Sequence, residues 1–144
     1  MAHKGDTLGF AGFKGELVAD NEAKYGAEIR EKYGDRAVDA SNAKMMGMTE
    51  EEYLHTQELE KRYKELLVAA MEKGDPSCAE AQQACDLHRE WLQMFWEDGL
   101  YSKDAHLGMG EMYVADERFR QNYDSVKPGM AAFFRDALQV YTAG

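Results

Sequence analysis

HREWLQMFWEDGLYSKDAHLGMGEMYVADERFRQNYDSVKPGMAAFFRDAL, residues 88–138, is the stretch that decides the fold. It holds both tryptophans, four of the six phenylalanines and four of the nine methionines, so core-forming surface is concentrated here. Its periodicity is helical. Ala81, Ala84, Cys85, His88, Trp91, Leu92 and Phe95 recur at spacings of three and four, as on a helix face turned to a core, and predict a helix over about 76–96. Gly99 interrupts it and Ser102 can cap the next helix, about 103–115, which carries His106, Met109, Gly110 and Tyr113 on one face. Gly108 and Gly110 lie inside that helix, where each glycine costs about 1 kcal/mol relative to alanine. Close approach of another helix or of a ligand is the usual reason for such a residue. Asp116 caps a short helix with Phe119 and Tyr123. Pro128 is expected to open the last helix, with Phe133, Phe134, Ala137, Leu138 and Tyr141 apolar.

Upstream, Thr49 and Glu52 form a capping box for a helix over about 50–73. Leu59, Tyr63, Leu66, Leu67 and Ala70 form its stripe, and Gly74 supplies a left-handed stop. Asp75-Pro76 then reads as the cap and first turn of the next helix. Residues 20–33 and 36–46 make two weaker helices. Their stripes are partial, so their stability must be borrowed from neighbours. Met45, Met46 and Met48 cluster at the end of the second, where core packing is the plainer role and ligand contact the sharper one. Residues 1–15 hold Gly5, Gly9, Gly12 and Gly15 around Phe10 and Phe13 and read as a mobile arm whose phenylalanines dock on the body. No stretch alternates like a strand. The class is all-α and the chain one domain, with an arm at 1–19, a weak helix pair at 20–48 and a helical body at 49–144.

The formal net charge of -10 argues against contact with nucleic-acid phosphates or an anionic membrane surface. No apolar run approaches a membrane span and no signal-peptide core is evident, so a cytoplasmic location is expected. Cys78 and Cys85, seven apart on one helix, would be about 10 Å apart, too far for a disulfide.

Metal and cofactor chemistry finds little support. Cys85, His88 and His106 could approach one another, yet no fourth zinc ligand is at hand. Glu52-x-x-His55 is a single di-iron half-motif with no second. A haem would use His88 or His106, and nothing separates either from a core histidine. Nucleotide-binding glycine patterns and a nucleophile elbow are absent, so neither an enzyme nor a cofactor is expected. What remains is the aromatic and methionine face of Trp91, Phe95, Trp96, Tyr101, Met109, Met112 and Tyr113. Packed core explains most of it. The polar handles of Trp and Tyr and the space left by the helix glycines favour a cleft for an apolar ligand.

The run AHLGMGEMYVADERFRQNYDSVKPGMAAFFRDAL, residues 105–138, resembles the TipAS-like antibiotic-recognition domain, the effector-binding half of MerR-type drug-responsive regulators. The likeness extends to HREWL at 88–92, TEEEY at 49–53 and KYGAEIREKYGD at 24–35. It implies a globin-like bundle that takes up a bulky, mostly apolar antibiotic, thiopeptide-like or other. It also implies N-terminal helices that a ligand orders into a lid. The expected contacts are then Trp91, Phe95, Trp96, Tyr101, His106, Met109, Met112 and Tyr113, with Tyr25, Ile29, Tyr33, Met45 and Met46 from the lid. The role would be sequestration of a drug or sensing on behalf of a DNA-binding domain in a longer form. The alternatives are an effector fragment that works only with that missing half and, further off, a haem-binding or enzymatic globin-like domain. Some relatives carry a cysteine just before the A-H or M-H step that can bond a dehydroalanine-containing thiopeptide. Gly99-Leu100-Tyr101-Ser102 stands there in this chain, so covalent capture by that route is not expected.

Overall fold

A computed structural model describes residues 3–143, with side chains from Gly9 onward. Among these, the elements are α1 (His3–Asn21), a π-helical turn (Glu22–Gly26), α2 (Ala27–Tyr33), α3 (Asp35–Gly47), α4 (Glu50–Lys73), α5 (Ala79–Phe95), α6 (Lys103–Ala115), α7 (Glu117–Asp124) and α8 (Met130–Ala143). No strand occurs among the described residues.

Local signals set the bounds of the strong helices. The Thr49 hydroxyl accepts from the Glu52 N–H at 3.0 Å, while the Glu52 carboxylate accepts from the Thr49 N–H at 2.9 Å, which closes the capping box on α4. Gly74, at φ 72°, ends α4 in the left-handed conformation glycine adopts without strain. Ser102 and Asp116 cap α6 and α7 as their spacing predicts. Two starts differ from expectation. Asp75 folds its carboxylate onto the N–H and hydroxyl of Ser77, so Pro76 sits in a turn and α5 begins only at Ala79. Likewise Pro128 precedes Gly129, whose φ of 88° belongs to a turn, and α8 starts at Met130.

Helices α4, α5, α6 and α8 enclose the core. Tyr63, Leu67, Ala81, Ala84, Cys85, Met130, Phe134 and Leu138 are fully buried there. Gly110 explains how α6 and α8 approach so closely. A Cβ at this position would stand 2.7 Å from Leu138 Cδ1 and 3.4 Å from the Arg135 Cα. Gly108 meets nothing within 4 Å, so the close-approach expectation holds for one of the two glycines. A pair of substitutions separates them. Gly108→Ala is expected to raise stability by about 0.5–1 kcal/mol through helix propensity. Gly110→Val is expected to lower it by about 2–3 kcal/mol through overpacking. Urea melts of the two variants check this, and equal shifts would remove the packing role of Gly110.

The N-terminal segment departs furthest from expectation. The glycine-rich stretch read as an arm is laid down as helix α1. Phe10 and Phe13 meet Tyr53 edge-to-face at 5.7 and 5.6 Å, so they do dock on the body. The Lys14 ammonium donates to the carbonyls of Met46 (2.6 Å) and Met48 (2.8 Å), on either side of Gly47. Tertiary bonds of this kind offset the low helix propensity of Gly9, Gly12 and Gly15. From α1 the chain passes through the π turn into α2, which buries no residue, and into α3, which lies against α5.

Candidate ligand-binding cavity

Between this N-terminal segment and the body lies a cavity of about 420 Å³. One wall is the outer face of α5 and α6: Trp91, Leu92, Phe95, Ala105, Met109 and Met112, joined by Trp96 and Leu100 from the connecting loop and Phe119 from α7. The facing wall comes from the π turn, α2 and α3: Tyr25, Gly26, Ile29, Tyr33, Ala37 and Val38. Asn21, Glu22, Ser41 and Asn42 make one polar corner. The lining is otherwise aromatic, aliphatic or thioether, the composition that favours flat, apolar ligands over ions.

Several bonds hold the walls together. The Tyr33 hydroxyl donates to Met109 Sδ at 3.2 Å across the space. Tyr25 stacks on Phe119 at 4.6 Å, with the Arg118 guanidinium 4.9 Å over the Tyr25 ring. Arg118 also pairs with Glu28 and donates to the Lys24 carbonyl. At the other end the Lys44 ammonium donates to the carbonyls of Gln93 (3.0 Å) and Trp96 (2.6 Å), where α5 ends, and to Asp98. Arg36 pairs with Glu97. The ion pairs are exposed and individually weak.

Behind the body wall runs a buried polar chain. The Tyr101 hydroxyl lies 2.7 Å from His106 Nδ1, His106 Nε2 lies 2.8 Å from His88 Nδ1, and His88 Nε2 lies 3.0 Å from the Tyr113 hydroxyl. Each imidazole thus has a partner on both nitrogens. With both rings neutral, one proton per contact runs along the chain in either direction. A second proton on either ring would place two N–H groups against each other or displace a hydroxyl donor. Burial pushes His106 down to about 4, with the Arg89 charge adding to the effect, and pushes His88 well below the usual histidine range. These histidines are structural. Among the described residues no group of three or more His, Cys, Asp or Glu side chains could hold a metal ion.

The Trp91 ring stacks on His88 at 5.8 Å and tilts against Phe95 at 4.9 Å, and its indole N–H is buried without a partner. Such a donor is costly to leave unmade.

Residues 25–141 match the TipAS antibiotic-recognition domain family. The chain belongs to that family. Over 117 residues it is 37% identical to the HTH-type transcriptional activator TipA of Streptomyces coelicolor, covering 80% of this chain and 46% of that protein. It is 27% identical over 133 residues to the HTH-type transcriptional activator mta of Bacillus subtilis, covering 92% of this chain and 50% of that one. The chain therefore spans about half the length of these relatives. A solved structure of TipAS from Streptomyces lividans in complex with the thiopeptide nosiheptide superposes with a TM-score of 0.64 at 32% identity, over 85% of each chain. That likeness supports the globin-like bundle expected above.

Within this TipAS-family fold, Trp91, Phe95, Trp96, Met109 and Met112 line the cavity, as do Tyr25, Ile29 and Tyr33 opposite. Five candidates do not. His106 and Tyr113 are buried in the polar chain, and Tyr101 bonds to His106 from the loop. Met45 packs inside beside the Lys14 contact and Met46 is 42% exposed, because the last turn of α3 faces α1 and solvent. Reading the helix faces also missed Leu92, Leu100, Ala105 and Phe119 on the body, and the α3 contributions from Ala37 to Asn42. Leu100 reaches the cavity from the loop between α5 and α6. Cys85 is fully buried, its thiol pushed up to about 12 by burial, and neither cysteine lines the cavity.

Proposed function

We propose that this chain is a non-enzymatic ligand-binding domain that takes up a bulky, mostly apolar small molecule in the cavity between residues 20–48 and the body. A thiopeptide-like antibiotic of the kind bound by TipAS is the leading ligand class. The observation that carries this reading is the cavity itself: two tryptophans, Phe95, Phe119 and two methionines facing Tyr25, Ile29 and Tyr33 across about 420 Å³. The net charge of -10 offers no phosphate-binding face, so regulation would act through a DNA-binding domain in a longer form, and the domain alone would sequester its ligand. Among the described residues no helix is long and apolar enough to cross a membrane.

Residues 20–48 act as a lid in this reading. Their covalent link to the body is the short passage at Gly47 and Met48, and their other ties to it are exposed ion pairs, the Tyr25–Phe119 stack and hydrogen bonds made by Tyr33, Lys44 and the Lys24 carbonyl. A large antibiotic exceeds the closed volume, so the lid opens to admit it and reorders around it. Ordering costs oppose affinity, and aromatic burial supplies it. Hydrogen exchange of residues 20–48 with and without nosiheptide tests this, with at least a tenfold slowing expected on binding. Unchanged protection at saturating nosiheptide would end the lid role. Failure of nosiheptide and of a panel of apolar antibiotics to quench Trp91 and Trp96 emission would end the binding role.

A further inference from the structure

Among the residues that line the cavity, one alone carries a charge: Glu22. The local structure is built around it. Gly26, buried one turn later in the π-helical segment, has no Cβ, and a Cβ there would collide with Glu22 Oε2. π turns insert an extra residue into a helix and often sit at functional sites. Here the turn and the glycine together leave room for the carboxylate. Two donors orient it. Asn42 Nδ2 donates to Oε1 at 3.0 Å, and Arg30 pairs with Oε1 and donates through Nε to Oε2 at 3.2 Å. The same guanidinium also serves Asp35 at 3.1 Å and Asp39 at 2.8 Å. One positive charge is thus divided among three carboxylates, and the corner keeps a net negative charge.

We infer that Glu22 is the polar anchor of the cavity and selects ligands that join an apolar, aromatic body to a basic or N–H-donating nitrogen. The Glu22 side chain is 31% exposed, and its charge acts over the few ångströms of the corner, so a ligand ammonium is attracted here while a carboxylate is repelled. The apolar remainder of the cavity accepts any flat hydrophobic body of suitable size and discriminates little by charge. The inference rests on the proposed function of the cavity and names the ligand chemistry at one corner of it.

Three probes that share one body test it: 9-anthracenylmethylamine, 9-anthracenemethanol and 9-anthracenecarboxylate, titrated at neutral pH and read by quenching of Trp91 and Trp96 emission. The amine is expected to bind on the order of tenfold more tightly than the carboxylate, with the alcohol between. Glu22→Gln should collapse that order to about threefold while leaving the alcohol within about twofold. Gly26→Ala should do the same by displacing the carboxylate without removing it, since its Cβ meets only the end of a side chain. Glu72→Gln, which removes one exposed charge from α4, should leave the order intact and so separates the anchor from the overall charge of the protein. Equal binding of all three probes to the unaltered protein, or an unchanged order in Glu22→Gln, overturns the inference and leaves the cavity as a binding site. Binding of none of the three while nosiheptide still binds overturns the anchor alone, and failure of nosiheptide as well overturns the proposed function with it.

Discussion

Lowering the pH from about 7.5 to about 5 is expected to remove about 2 kcal/mol of folding stability through His106, with His88 adding to the loss in the same direction. Both are fully buried, and burial depresses both pKa values, His106 to about 4. An unfolded histidine titrates near 6.5, so below that pH the unfolded state binds more protons than the folded one. The stability these two groups contribute is therefore complete above about pH 6.5 and is lost as pH falls toward the folded values. His106 accounts for about 2 kcal/mol by about pH 5, and burial gives His88 the same sign. Carboxylates with depressed values, Asp116 at about 2 among them, lose their partners only at lower pH and do not blur this window. His106→Gln can still donate to one neighbour and accept from the other, and it cannot titrate. It should lower stability at neutral pH and make the slope between about pH 6.5 and 5 shallower. Urea midpoints measured across that range check the sign and the size. A flat profile in the unaltered protein would mean that the imidazoles charge without cost, contrary to their full burial.

The parts of the fold legible in the sequence are those fixed by local chemistry. The capping box at Thr49 and the left-handed Gly74 delimit α4 at the residues their types require, and Ser102 and Asp116 do the same for α6 and α7. The N-terminal helix was not legible, because what holds α1 is remote: Lys14 reaches carbonyls more than thirty residues away, and Phe10 and Phe13 rest on Tyr53. Propensity alone makes its four glycines an arm. The π turn left no local mark except Gly26, which reads equally well as a broken stripe.

The cavity was half legible for a related reason. Helical spacing identifies a face and says nothing about what that face meets. On α6 the positions 106, 110 and 113 turn inward to α5 and α8, while 105, 109 and 112, one residue earlier in each turn, face the cavity. Met109 and Tyr113 therefore looked like one surface from spacing and belong to two. The division also has a mechanical consequence. The inward face is pinned by Gly110 against α8 and by the bonded imidazoles, so the body wall is rigid. Plasticity on that wall is left to the Met109 and Met112 side chains, and larger movement to residues 20–48 opposite.

That asymmetry makes Ala105→Trp the sharpest test of the cavity, with an expected loss of ligand affinity of on the order of a hundredfold, about 2.8 kcal/mol. Ala105 is half-buried on the cavity face of α6, one turn after the Ser102 cap and outside the bonded core. Trp96 and Leu100 line the same cavity. An indole at position 105 would fill space in the unliganded protein and bury apolar surface, so folding should change by no more than about 1 kcal/mol in either direction. Ligand would then have to compete with a covalently attached aromatic ring that the rigid wall cannot move aside. The comparison of affinity with stability decides the matter. Lost affinity with stability kept places the ligand between α6 and the N-terminal helices. Affinity kept to within about threefold would place it elsewhere, and the Trp91–Phe95–Met109 face would return to being the unfilled margin of a core.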